Sequence, residues 1–143
     1  MPKIKIILNP TAGMKSAEAK IPLVKELLKK YNIDYEMELT QRIWHAAEIA
    51  ENTNPREFST VVAAGGDGTC NEVFNGLMRA KTAGRPIPAM GALPIGRGND
   101  FSYGMGLPAD LEANIKILAD GYKKYMDVGK VTGELYPQGR YFG

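Results

Sequence analysis

Thr60-Val61-Val62-Ala63-Ala64 is an uncharged, largely apolar run that passes directly into Gly65-Gly66-Asp67-Gly68-Thr69. A strand reads as near-continuous apolar sequence when both of its faces are covered, because no alternate position meets water. A chain holding such a strand must supply a layer on each side of it. The flanking sequence supplies them. Lys3-Ile4-Lys5-Ile6-Ile7-Leu8 is short, β-branched and closed by Asn9-Pro10, a strand opening into a turn. Ile21, Val24, Leu27, Leu28 and Tyr31 recur at helical spacing with lysines outward, which predicts a helix with Pro22 in or near its first turn. Tyr35 to Leu39 alternates as a second strand, and Ile43, Ala46, Ala47, Ile49 and Ala50 predict a second helix. Val73, Phe74, Leu77 and Met78 mark a third helix, and Pro88 to Ile95 a fourth strand ending in Gly96-Arg97-Gly98-Asn99-Asp100. Strands alternating with helices through short loops predict an α/β domain, a parallel β-sheet with helices on both faces. Such sheets bind ligands beyond the carboxyl ends of their strands. The Asn9-Pro10 turn and both glycine-rich turns fall at those ends.

Beyond residue 107 the pattern weakens. Leu111, Ile115 and Leu118 fit one more helix, Tyr122 to Val131 an extended segment, and Arg140-Tyr141-Phe142-Gly143 a strand. This ending reads as a chain cut just as another element begins, the alternative being a natural edge strand. The 143 residues carry 18 Lys+Arg against 16 Asp+Glu, a formal charge of +2. Residues 1–30 hold seven Lys and two Glu, whereas residues 31–72 hold two Arg and eight acids. The overall balance is too mild for a nucleic-acid footprint, so no nucleic-acid partner is expected. The single Cys70 excludes an internal disulfide framework and an all-cysteine metal site. No apolar run approaches the roughly 20 residues of a membrane span, and none follows the amino terminus as a signal peptide would. A cytoplasmic location is the expectation.

The chemistry is carried by the turns. Glycines between a buried strand and a helix let the backbone approach a ligand, and the helix start presents unpaired N–H groups and a positive dipole end suited to phosphate. Asp67 would repel a phosphate by itself. It becomes sensible if it holds Mg²⁺, directly or through water, or removes a proton from an attacking hydroxyl; alternatively it caps the helix. Thr69 and Asn71 add donors or caps. Asn9-Pro10-Thr11-Ala12-Gly13 combines a stiffened turn with polar side chains, and reads equally as a plain loop. Gly13-Met14-Lys15-Ser16 imitates the end of a Walker A loop but has Leu8 where the earlier glycine belongs. Gly104-Met105-Gly106-Leu107-Pro108-Ala109 imitates a dinucleotide fingerprint yet follows no strand. Arg97 offers a forked donor to phosphate or points to solvent, and Asn99 and Asp100 cap a helix or brace the diglycine loop. His45 lacks partners at metal-ligand spacing. Cys70 reads as a small apolar packing residue.

Taken together, Asn9-Pro10-x-x-Gly13, Thr40 with His45-Ala46, Gly65-Gly66-Asp67-Gly68-Thr69-x-Asn71-Glu72-Val73 and Pro94-x-Gly96-x-Gly98-Asn99-Asp100-Phe101 resemble the diacylglycerol kinase catalytic-domain family, over about residues 3 to 132. The Gly-Gly-Asp-Gly-Thr element is shared with NAD kinases; the Asn-Pro opening and the Gly-Asn-Asp-Phe turn favour lipid kinases. The resemblance implies a Rossmann-like three-layer domain that binds ATP and Mg²⁺ and passes the γ-phosphate to a lipid hydroxyl. It also implies a C-terminal β-rich domain supplying much of the lipid site and the catalytic base, so that residues 1–132 form the nucleotide-binding domain and residues 133–143 begin a truncated second one. By position, the nucleotide would be lined by Asn9, Pro10, Thr11, Ala12, Gly13, Thr40, Gly65, Gly66, Asp67, Gly68, Thr69, Cys70, Asn71, Glu72, Gly96, Arg97, Gly98, Asn99 and Asp100, with Asp67 as catalytic and metal residue. Arg97 departs from the Thr common in the family. The implied partners are ATP, a membrane lipid met peripherally, the chain's own second domain and, as an option, a second copy in a homodimer. An NAD kinase-like phosphotransferase and a non-catalytic nucleotide-binding module are the alternatives.

Overall fold

A computed structural model describes residues 3–13, 16–95, 110–121, 129–133 and 136–142. Four strands, β1 (Lys3–Leu8), β2 (Tyr35–Leu39), β3 (Phe58–Gly65) and β4 (Ala89–Pro94), form one parallel sheet in the order β2-β1-β3-β4. The helices are α1 (Ser16–Lys30), α2 (His45–Glu51), α3 (Asp67–Thr82) and α4 (Leu111–Asp120). A separate antiparallel pair, β5 (Gly129–Gly133) and β6 (Tyr136–Phe142), follows. The predicted parallel α/β architecture is the one observed.

Alternation along the strands sorts the core into two halves. Ile4, Ile6 and Leu8 of β1, with Val62 and Ala64 of β3, pack beneath α1 and α4, against Val24, Leu27, Leu28 and Ile115. Ile7, Val61, Ala63 and Ala92 face the other way, beneath α2 and α3, against Ala46, Ala50, Cys70, Val73 and Leu77. Helices therefore cover both faces. Each fully buried Val, Leu or Ile contributes about 1.5–3 kcal/mol, so the two halves outweigh any surface ion pair. The second half is built from small side chains, and its helices approach closely. At Gly76 of α3 a Cβ would lie 2.1 Å from the carbonyl oxygen of Ala47 in α2, so only hydrogen fits that crossing.

The edge strand β2 is only half-buried, and on one face. Tyr35 and Met37 pack toward α1, while Glu36 and Glu38 point to the side on which α2 leaves β2 uncovered. Lys3 Nζ lies 3.0 Å from Glu36, and Lys5 bridges Glu36 at 3.8 Å and Glu38 at 3.0 Å. The lysine bond holds the Glu36 carboxyl below its ordinary range.

Three boundaries differ from the sequence-based expectation. Helix α1 starts at Ser16, because Ala17 is already anchored in the core, so Pro22 lies inside the helix, with its ring exposed. Ile43 precedes α2 rather than belonging to it: Trp44 is left-handed (φ 67°), which delays the helix to His45 and leaves Ile43 82% exposed. Asp67, Gly68 and Thr69 form the first turn of α3 instead of a loop before it. Of the extended segment expected from Tyr122 to Val131, residues 129–131 are in β5, and residues 122–128 lie outside the described residues, as does the turn at residues 104–109. Among the described residues no helix is long and apolar enough to cross a membrane.

The α2–α3 crossing yields a test. Gly76→Ala should cost about 1–3 kcal/mol or more by overpacking, read as a lower midpoint in urea unfolding, whereas Gly84→Ala, which meets no neighbour, should show only the strain of its positive φ.

Candidate functional site

The sheet changes direction at β1, whose neighbours β2 and β3 lead to opposite sides, and at such a switch point the strand ends open a crevice. Each ladder runs one step into the turns that follow. Asn9 N–H donates to Ala64 O at 3.0 Å, Thr40 N–H to Leu8 O at 2.9 Å, and Ile95 N–H to Gly65 O at 3.3 Å. The starts of all these turns are thereby fixed along one edge.

After β1, the Asn9 side-chain oxygen accepts both the Thr11 N–H (3.0 Å) and the Thr11 hydroxyl (2.8 Å), and Ala12 N–H closes on Asn9 O at 3.2 Å. This Asx-type turn shapes the loop locally. Ala12 packs toward the core rather than toward the crevice.

After β3, a single residue, Gly66, joins the strand to α3. It is the N-cap residue in extended conformation (φ −98°, ψ −163°) and contributes no side-chain cap. The first-turn N–H groups, which have no carbonyl partner within a helix, thus start at the sheet edge with the positive dipole end around them. Asp67 sits inside this turn and is not the cap. Two glycines here differ in purpose. A Cβ at Gly65 would come within 2.5 Å of Thr69 Oγ1, so the chain itself requires glycine there. A Cβ at Gly68 would meet nothing within 4 Å, although alanine is the better helix former by about 1 kcal/mol. The open space over Gly68 is one an outside group can occupy.

Beside it lies a cleft of about 270 Å³ lined by Asn9, Thr11, Thr40, Thr69 and Glu72, all anticipated, and by Gln41, Arg42 and Ile43, which were not. Gln41 and Arg42 follow β2 without periodicity or glycine, and the periodicity of Ile43 points to the helix instead; the one sequence signal for the site is position, at a strand end beside Thr40. A larger cleft of about 340 Å³ runs along the flank of α2 between Lys5, Glu38, Glu57 and Phe58. The smaller cleft is the one that opens between the turns after β1 and β2 and the start of α3. The Asn71 side chain and carbonyl receive the Asn75 amide at 2.7 and 2.8 Å. Residues 96–100, including Arg97, Asn99 and Asp100, lie outside the described residues.

Among the described residues no three His, Cys, Asp or Glu side chains gather as a protein-only metal cage. Asp67 in the first turn of α3 nonetheless fits Mg²⁺, which is usually held by one or two carboxylates together with substrate phosphates and water.

Cys70, included by position among the nucleotide-lining residues, turns its side chain away from the cleft into the core, 2% exposed. Burial, with the Asp67 charge adding to it, pushes its thiol up to about 12. The thiol should therefore resist disulfide reagents at pH 8 in the folded chain and react at once in denaturant; rapid labelling of the native chain would contradict this packing.

Comparison with known proteins identifies relatives of the chain. The profile of the diacylglycerol kinase catalytic domain matches residues 3–131. The chain is 34% identical over 134 residues to a diacylglycerol kinase of Staphylococcus epidermidis, covering 94% of this chain and 41% of that protein. It is 31% identical to one of Staphylococcus saprophyticus, covering 94% and 43%. A solved diacylglycerol kinase of Bacillus anthracis superposes with a TM-score of 0.70 at 24% identity, covering 90% of this chain and 42% of that one, a likeness of fold. The chain spans about two-fifths of the length of these relatives. On the breadth of the profile match and these identities, the chain belongs to the diacylglycerol kinase catalytic-domain family.

Proposed function

We propose that this chain is the nucleotide-binding part of an ATP-dependent lipid kinase. The observation that carries the reading is the uncapped start of α3 beside Gly68, where space stands open above a glycine the fold does not need. Family membership supports the reaction class, and the turns that follow β1, β2 and β3 along one edge support the location.

In this reading the first-turn N–H groups of α3 grip the phosphates, with the hydroxyls of Thr40 and Thr69 as further donors at the cleft wall. Asp67 would hold Mg²⁺, and Glu72, which lines the cleft, would assist through water. Mg²⁺, when bound, neutralises phosphate charge and polarises the transferring group. Phosphoryl transfer asks mainly for positioning and charge stabilisation, with little covalent work by the protein. The acceptor oxygen forms the new P–O bond as the bond to ADP breaks, and the hydroxyl proton passes to a base. That base is expected in a C-terminal β-rich domain beyond the α/β layers, which would also select the lipid. The strand-end edge then faces a membrane surface peripherally, so that a diacylglycerol-like or sphingoid headgroup reaches the γ-phosphate.

Calorimetry of the chain with Mg²⁺-ATP and Mg²⁺-ADP tests the reading, with micromolar binding expected. Gly68→Ala should raise the stability of the ligand-free chain by up to about 1 kcal/mol while weakening nucleotide binding at least about tenfold, equivalent to 1.4 kcal/mol. Unchanged affinity would remove the α3 start from the phosphate site. In a longer protein containing this chain, Asp67→Ala should abolish lipid phosphorylation and leave the melting curve in place. Transfer to NAD rather than to lipid in a radiolabel assay would redirect the assignment.

A further inference from the structure

His45 stands between the two clefts. Its side chain is 16% exposed, and its two ring nitrogens face different surroundings. Nδ1 accepts the backbone N–H of Gln41 at 2.9 Å. Gln41 belongs to the turn Thr40–Ile43 that walls the proposed nucleotide cleft. The turn is otherwise lightly held. Thr40 N–H reaches Leu8 O at 2.9 Å, His45 N–H reaches Arg42 O at 3.2 Å, and Arg42 pairs with Glu48 on the surface. Trp44 closes the turn in a left-handed conformation that a bulky residue adopts only at a cost, with the Arg79 guanidinium 5.4 Å from its ring centroid. Nε2 faces the other cleft, 3.9 Å from Glu38.

An Nδ1 that accepts requires an imidazole that is neutral and carries its proton on Nε2. We propose that His45 is a positioning residue for the nucleotide cleft: its neutral ring holds the Gln41 N–H and so the shape of the Thr40–Ile43 turn, and a second proton releases it. The inference rests on the nucleotide reading of that cleft. A proton arriving from solvent at Nδ1 converts the acceptor into a donor, so two N–H groups then oppose each other where one hydrogen bond had been. The imidazolium is drawn instead to Glu38. Around the ring stand Glu38 from β2, Lys5 from β1 at 3.0 Å from Glu38, Glu48 on α2 itself, and Glu57 before β3. Arg42 in the turn is engaged by Glu48; on the α3 side stand Arg79, over Trp44, and Glu72, in the nucleotide cleft. The turn is therefore held while Nδ1 accepts the Gln41 N–H and released when Nδ1 carries a proton of its own.

Nitrogen-15 NMR of the chain from pH 8 to pH 5.5 reads the linkage without nucleotide. The Gln41 amide should be protected from exchange and coupled across its hydrogen bond to His45 Nδ1 at pH 8, and should lose both with the midpoint of His45 itself. A Gln41 amide indifferent to that titration overturns the proposal. Mg²⁺-ATP affinity supplies the second reading. His45→Asn offers an oxygen where Nδ1 stood and does not titrate, so it should keep the pH 8 affinity within about threefold. The wild-type chain should lose about tenfold more affinity on going to pH 5.5 than His45→Asn does, as expected for one lost hydrogen bond. His45→Phe should bind weakly at both values, with its melting curve reporting whether it folds. Identical pH dependence in the wild type and His45→Asn overturns the proposal, because protonation of the nucleotide is common to both. If neither binds at either pH, the nucleotide reading falls, and the amide titration still decides whether the His45 proton governs the turn.

Discussion

The parallel pairing of β1 with both β2 and β3 is the constraint on which everything else rests. It aligns Leu8 with Leu39 on one side and with Ala64 on the other. All three strands therefore end at one level, and the residues that follow them must meet. Asn9 and Thr40 extend the ladders by one bond each, so the site is an outgrowth of sheet register rather than a separate loop cluster. Because the side-chain period of a strand is two, a slip of one residue would send Ile4, Ile6 and Leu8 to the wrong face. Burial of those three beneath α1 is thus also what holds the turns in place.

The two core halves have different jobs. Bulky side chains under α1 and α4 supply most of the apolar burial. Small ones under α2 and α3 let those helices nestle against each other at Gly76 and Ala47. That contact ties the turn before α2 to the first two turns of α3, which carry Thr69 and Glu72. The cleft between them inherits its width from a contact deep in the packing, some way along both helices.

Much of this was legible in the sequence because its physics is local or strongly patterned. Strand β3 announces itself through Val61 to Ala64, since covering on both faces leaves no alternation. The Gly65–Thr69 segment could be placed at a strand end from order alone. What the sequence concealed was geometry set by single residues. Gly66 suffices to turn the chain, which moves Asp67 and Gly68 into a helix, and no spacing rule reveals that one glycine is enough. Pro22 was expected near a helix start because proline favours that place, yet burial of Ala17 draws the helix further back. Gln41, Arg42 and Ile43 carry no motif; they line the cleft because Trp44 turns left-handed and holds them out over the strand ends. Cys70 follows the glycines in sequence but points inward, as helical geometry rotates its side chain away from its neighbours.

The lysine–glutamate ladder on β2 has a consequence for how this sheet ends. A bare outer strand presents backbone groups to any chain that can add itself alongside, the route by which sheets grow into aggregates. Charged side chains make such addition costly, since a newcomer would have to strip water from them. Glu36 is kept ionised further into acid than an ordinary carboxylate by its bond to Lys3, so the guard on this margin outlasts mild acidification. The opposite margin, β4, finishes at Pro94, which has no amide hydrogen to offer a stranger. Among the described residues the sheet has four strands, and both of its flanks are poor templates for another.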